Sequence, residues 1–391
     1  MANNKNTLSS RYLKVLVFVI YLFFSPVLSA LSESEALSEY QELKASHKAI
    51  AISGSGSTVI SSTTHSQPSP AVASLNALAD CEAKRRILSS KYFCEIRFVN
   101  NDEITPAHVI RAGIPDHHPL FLWKLESNHA TVFLVGSIHV LKQSLHPLPQ
   151  QFQSAFERSD SVVVEVDVMS VNPQVITRLA NKYFLLADSE SIQQVLSESE
   201  LALLIDHLDD WNTTLKSVQQ LKPSTLAIQL SLNQLMAMGY SQEHGVENIF
   251  LRQVGTRNLL QLETLEQQFQ LLGSTPMVLQ RKLLMDTIIR ADEVDATMAA
   301  LMSAWLSGDL KSFENLTHVM ALQSSEYLAF SKVLLDERNI NMVSKIVSYL
   351  NSKGTYFVML GAAHLVGRHG VLSLLEQQGH IAIQLRSNDK I

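Results

Sequence analysis

The 391-residue sequence predicts an α/β fold: a central sheet built from two βαβ-like units with a long, mainly helical insertion between them. The first unit is the apolar run Thr131 to Val135, the tetrapeptide Gly136-Ser137-Ile138-His139, a helix opened by Pro149 and ending near Arg158, and the run Val162 to Val166. The second is Tyr356 to Leu360, then Gly361-Ala362-Ala363-His364, a helix over about Val371 to Gln378, and Ile381 to Leu385. Between them, apolar residues recur at helical spacing in Leu201 to Leu208, Leu226 to Met238, Met277 to Ile289 and Tyr327 to Leu335. Met236, Met238 and the leucines around them read as core. Strands joined by right-handed crossovers lie parallel, so their carboxyl ends share one edge of the sheet.

From the amino terminus, the chain divides into segments 1–30, 31–80, 81–117 and 118–391. Lys5, Arg11 and Lys14 precede the apolar run Val15 to Phe24, followed by Pro26 and the small residues Ser29 and Ala30. These are the three regions of a secretory signal peptide; an uncleaved anchor is the alternative, although the run is short for a bilayer. Residues 31–80 read as a low-complexity linker after a short helix around Glu33 to Ala45, because Ser53 to Ser57 alternates serine with glycine and Ser66 to Pro70 carries two prolines. Cys81 and Cys94, the only cysteines, bracket a small ornament over 81–117 that suggests helix then strand. Export favours a bridge between them over two free thiols, and closing so short a loop contributes roughly 3 kcal/mol in the chain-entropy model.

The main domain, 118–391, opens with Phe121 to Glu126 as a first strand, and Asn128 turns the chain into the strand bearing the first motif. Later, Asn258 to Thr264 is a strand-like run that interrupts the helices and carries Glu263. If it joins the same sheet, Glu263 reaches the same edge. Hydrophobic residues make up 46% of the chain and can bury a large core, while the net charge of −6 includes no basic stripe, which excludes a nucleic-acid partner. The expected location is exported, periplasmic or extracellular, with membrane contact only through the first segment if that segment is uncleaved.

His139, Glu165 and His364 all fall at or just beyond a strand's carboxyl end. Glycine at each turn permits backbone angles and close approaches that a Cβ resists. An ionised Glu165 inside Val162 to Val168 is costly to bury without a partner, which a metal or another cation supplies. Two imidazoles and a carboxylate suit a divalent transition metal that keeps a position open for water. A structural pseudo-repeat with solvated histidines is the other reading. In the second unit Gln384 stands where Glu165 stands in the first, so one metal centre is favoured over a symmetric pair.

These residues resemble the family named after the TraB and GumN proteins, which also includes the pheromone-shutdown proteins and the Tiki metallopeptidases. The resemblance rests on Phe133 to Val140, Val164-Glu165-Val166-Asp167, Gly245-Val246-Glu247, Leu262-Glu263-Thr264, Glu337-Arg338-Asn339 and Tyr356 to Gly367, in an order spanning about 118–391. Glu247 stands where an Asp is frequent, which keeps the charge and moves it outward by a methylene. The resemblance implies a metal-dependent hydrolase, best attested as a peptidase in the Tiki branch. It makes His139, His364 and Glu165 the leading metal-binding or catalytic positions, with Glu263, Arg338 and Asn339 at further motif positions.

The expected function is therefore a metal-dependent hydrolase, most readily a peptidase, using manganese, cobalt or zinc on a peptide or small-molecule substrate. His139, His364 and Glu165, or Glu263 in its place, would hold the ion, with Glu165, Glu263 and Arg338 as the catalytic set. A carboxylate outside the ligand shell is the natural general base. Arg338 would bind a substrate carboxylate or an oxyanion, or else form a structural salt bridge with Asp336, Glu337 or Glu263. The alternative function is a non-enzymatic haem- or peptide-binding module of the cell envelope. Neither a Gly-x-Ser-x-Gly elbow between strand and helix nor a His-Glu-x-x-His helix is present, which weighs against serine esterases and thermolysin-like peptidases.

Overall fold

The structure is a computed structural model that describes residues 32–54, 59–88, 94–103, 117–168, 170–208, 211, 213–318 and 324–391. The expected signal peptide, 1–30, lies outside the described residues.

Where a flexible linker is expected, the chain instead builds a small sheet. Helix α1 (Glu33–Glu42) starts at Ser32, whose hydroxyl and the Glu35 side chain close a capping box. Strands β1 (Ala49–Ser53) and β2 (Ile60–Thr64), helix α2 (Pro70–Ile87), and strands β3 (Cys94–Val99) and β4 (Asp102–Glu103) follow, with strand order β2-β1-β3-β4. The alternation in β1 explains how so polar a region folds: Ala49 and Ala51 pack with Ala73, Ala77 and Cys81 of α2, while Ile50 and Ile52 pack with Tyr40 of α1. Cys81 on α2 and Cys94 on β3 form a disulfide, as expected. The ornament and the supposed linker are thus parts of one module.

Beyond it come β5 (Pro119–Glu126), β6 (Ala130–Ser137), the two-residue strand β7 (Leu141–Lys142), α3 (Gln150–Glu157) and β8 (Ser161–Val164). A helical stretch leads to β9 (Tyr240–Ser241), which pairs with β7, then to α4 (Val246–Leu251), β10 (Asn258–Gln261) and α5 (Leu265–Gly273). Within that stretch Met238 is buried, whereas Met236 is 55% exposed and belongs to the surface rather than the core. Helix α6 (Val294–Leu306) packs against α2 and so joins the amino-terminal module to the main domain. A π-helical turn, Lys332–Asp336, runs directly into α7 (Glu337–Leu350). The chain closes with β11 (Gly354–Gly361), α8 (Ala362–Leu365), α9 (Val371–Gln377) and β12 (Ile383–Arg386).

The main sheet has six strands in the order β10-β8-β11-β6-β5-β12. Strands β10, β8, β11 and β6 are parallel, while β5 is antiparallel to β6, and β12 is antiparallel to β5. Both helical crossovers exist, but neither joins adjacent strands: β11 lies between β6 and β8, and β12 lands on the far edge. The burial patterns give the reason. The six residues Tyr356 to Gly361 of β11 are all buried, as a central parallel strand requires. In β12 Ile383 is 61% exposed and only Leu385 is buried. Gln384 donates to the carbonyls of Leu120 and Gly308 at that distant edge and has no part in the motif edge.

Candidate functional site

The four parallel strands deliver their carboxyl ends to one place, and each contributes a polar side chain just past its last paired residue. His139 follows β6, Glu165 follows β8, Glu263 follows β10, and His364 sits on α8 directly after β11. The Leu262 amide donates to the Val164 carbonyl at 2.9 Å and the Glu263 amide to the Glu165 carbonyl at 2.8 Å, so the two carboxylates leave the sheet side by side. Gly136 does not serve a left-handed turn, since its φ is not positive. A Cβ there would lie 2.7 Å from Phe121 Cδ1 and 2.8 Å from Leu365 Cδ1, so glycine lets the first motif pack against the residue after His364.

Arg338, on the first turn of α7, organises both carboxylates. Its Nε donates to Glu263 Oε1 and Oε2 at 2.9 and 3.0 Å, and its Nη2 lies 2.7 Å from both Glu263 Oε2 and Glu165 Oε2. Nη1 donates to the Leu334 carbonyl of the π turn at 3.0 Å. Gln268 of α5 reaches from the other side, 3.1 Å to Glu165 Oε2 and 3.2 Å to Glu263 Oε2. The remaining Glu165 oxygen, Oε1, accepts the Gly361 amide at 2.6 Å and lies 3.8 Å from His364 Nε2. Among the expected partners for Arg338, Glu263 is realised, and Glu165 joins it; no ion pair to Asp336 or Glu337 occurs among the described residues. The cation offsetting the buried Glu165 is therefore this guanidinium, which leaves little of its fork for a substrate carboxylate.

Charge states follow from this packing. Burial works against ionised Glu165, but His364, Arg338, His139 and the Gly361 amide together hold its carboxyl down to about 2. Burial, aided by Arg338, pushes the His364 imidazole down to about 3 against the pull of Glu165. Because His364 is neutral above that pH, Arg338 carries the cationic part of the work at neutral pH. His139 is also penalised by burial, yet the Glu247 carboxylate beside it raises its pKa.

Each histidine has a partner outside the expected catalytic set. His139 Nδ1 lies 2.7 Å from Glu247 Oε1 of α4, and Ser137 donates its hydroxyl to the same oxygen. His364 Nδ1 lies 2.6 Å from Asn339 Oδ1 of α7. Glu247 and Asn339 carry motif signals in the sequence without a readable duty. Gln268 carries only the signal of a polar residue beside apolar Leu265 and Phe269, too little to mark it as a site residue.

With this arrangement in view, the model of the TraB/PrgY/gumN family matches residues 121–383, all four site strands included. The chain belongs to the TraB/PrgY/gumN family. It is 26% identical over 245 residues to the uncharacterized protein YbaP of Escherichia coli (strain K12), covering 62% of this chain and 86% of that protein. It is 25% identical over 310 residues to the metalloprotease TIKI2 of Xenopus tropicalis, covering 66% of this chain and 58% of that protein. No solved structure matches the chain significantly.

The metal implied by the Tiki resemblance can be tested against the donors in this TraB/PrgY/gumN site. Two imidazoles and a carboxylate oxygen have the right chemistry, one imidazole is neutral and deeply buried, and both rings are anchored through the nitrogen that would not ligate. Among the described residues no group of three His, Cys, Asp or Glu side chains is gathered to hold an ion as it stands. The set fits in donor type.

Proposed function

We propose that this protein is a metal-dependent hydrolase of amide bonds, with His139, His364 and Glu165 as the residues that would hold a divalent ion. The observation that carries the reading is the placement of Glu165 Oε1 facing His364 Nε2 at the edge where His139 also emerges. Similarity to a protein named a metalloprotease supports the choice of reaction. When bound, such an ion supplies Lewis acidity to a substrate carbonyl and acidifies water. Within the chain, Arg338 keeps Glu165 ionised, the state in which a carboxylate can ligate a cation. Glu263 and Gln268 hold Arg338 and Glu165 in register, so we assign Glu263 to positioning rather than to proton transfer.

Export is part of the same proposal. The signal-like start and a disulfide both suit an oxidising compartment. Intact-mass analysis of native material should show a chain beginning near Ala30 or Leu31 and lacking two hydrogens. Retention of the first segment in an exported fraction would make it an anchor.

The deciding experiment loads metal-free protein with manganese, cobalt or zinc and offers a peptide library with simple esters alongside. Cleavage that depends on one of these ions, and on His139 and His364, is expected. If nothing is cleaved while haem or a peptide binds through those histidines, a binding module replaces the hydrolase.

A further inference from the structure

The two motif histidines come from different strands, yet each is held at the same ring nitrogen. Asn339 Nδ2 donates to the His369 carbonyl at 2.8 Å, which directs its amide oxygen toward His364. That oxygen can only accept, so His364 Nδ1 carries the proton. Glu247 is a carboxylate and likewise accepts from His139 Nδ1. The backbone makes this second grip rigid. The Val246 amide donates to the Ile138 carbonyl at 3.0 Å, and a Cβ on Gly245 would lie only 2.0 Å from the His139 carbonyl oxygen.

We propose that Asn339 and Glu247 are positioning residues that fix His364 and His139 with the proton on Nδ1, so that both rings offer Nε2 as the electron-pair donor to the site. A neutral imidazole has one donor and one acceptor nitrogen, and the bond made by one decides the role of the other. The two grips differ in charge. Asn339 orients a ring without increasing its basicity, whereas Glu247 orients its ring and strengthens it as a donor. The two halves of the pseudo-repeat are therefore gripped differently: His364 is fully buried and held by an amide, His139 is partly exposed and held by a carboxylate.

The affinity part of the inference rests on the metal reading above; the tautomer part does not. Long-range proton–nitrogen correlation spectra of the metal-free protein should show the proton on Nδ1 of both rings. Asn339→Leu should move the His364 proton to Nε2 in part or in full, while Asn339→Asp, which keeps an acceptor, should retain the wild-type pattern. Glu247→Leu and Glu247→Gln make the corresponding pair for His139. Titration with manganese should show a loss of about 10–100-fold in affinity for each leucine variant, with recovery in the conservative one. A wild-type ring protonated on Nε2 alone, or leucine variants that keep Nδ1 protonation, overturns the proposal. If a leucine variant does not fold, the wild-type spectrum decides. If wild-type protein takes up none of manganese, cobalt and zinc while the tautomers are as expected, the metal reading fails and the positioning role stands.

Discussion

Three charges and one amide set the character of the site at the level of single residues. Arg338 is 8% exposed and faces two carboxylates, so removing it strands buried negative charge. Arg338→Met should lower stability by about 3–5 kcal/mol in denaturant titration. Arg338→Lys should lose less, because it keeps the charge and forfeits only the fork. Glu165→Gln preserves size and removes the charge, and both metal uptake and metal-dependent turnover should be lost if Glu165 ligates the ion. Glu263→Gln should cost less activity and mainly loosen Arg338. An equal or larger loss in Glu263→Gln would reverse the two assignments.

The same residues fix the pH dependence of stability. Glu165 ordinarily titrates near 4.5 and is held to about 2 in the fold, so its contribution is complete above 4.5 and is lost as pH falls toward 2. His364 ordinarily titrates near 6.5 and is pushed to about 3, so protonation favours unfolding from 6.5 downward. Both slopes have the same sign, and every tenfold change in proton affinity between the folded and unfolded chain is worth about 1.4 kcal/mol. Stability should therefore begin to fall just below pH 6.5 rather than at 4.5. In His364→Asn the upper part of that slope should vanish, as measured by thermal melts between pH 7 and 4; a slope unchanged in the variant would mean that another group causes it.

Among the elements, α4 and α7 matter more to the site than their length suggests. Each presents a side chain of its first turn to a histidine just beyond a strand's carboxyl end, and α7 presents Arg338 as well. The π turn before α7 supplies the Leu334 carbonyl to Arg338, a use consistent with the frequent appearance of π geometry at functional sites. The closest seam lies between α4 and the first motif, at Gly245. Gly245→Ala must push the His139 backbone and α4 apart, which should destabilise the fold by about 1–3 kcal/mol. Because Glu247 moves with α4, the variant should also weaken the grip on His139, and the same ring-nitrogen spectrum reads that change. A variant as stable as wild type with an unaltered spectrum would show that the seam has slack.

For the whole molecule, the amino-terminal module connects to the site through packed contacts. Helix α2 lies on α6, and Trp305 of α6 donates its indole N–H to the Gly136 carbonyl at 2.7 Å, directly before the first motif histidine's turn. The disulfide closes a separation of 13 residues between α2 and β3 inside that module. Replacing both cysteines with alanine should remove roughly 3 kcal/mol from the module in the chain-entropy model. Limited proteolysis should then cut first between residues 32 and 103, leaving a resistant fragment that begins near β5. Uniform loss of resistance would mean that module and main domain unfold as one unit.

The elements that were legible in the sequence are those with strong local patterns. Apolar strands ending in Gly-x-x-His, the helix capped by Pro149, and the run from Asn258 to Glu263 all fold where periodicity and turn residues put them. The motif edge with His139, Glu165 and His364 follows from parallel crossovers, and Glu263 reaches it because Asn258 to Gln261 joins the same sheet. The amino-terminal sheet was hidden, because Ser, Ala and Thr in β1 and β2 have the composition of a linker until two helices and a disulfide cover them. Strand order was hidden too, since a crossover specifies direction but not which neighbour it passes. The pairings that define the site's chemistry lie furthest from local reach. Arg338 meets Glu165 across 173 positions, and His139 meets Glu247 across an ion-pair contact set by α4. Residue type shows that a buried charge needs a partner; which partner arrives depends on how distant strands and helices pack, because only that packing brings the groups within hydrogen-bond reach.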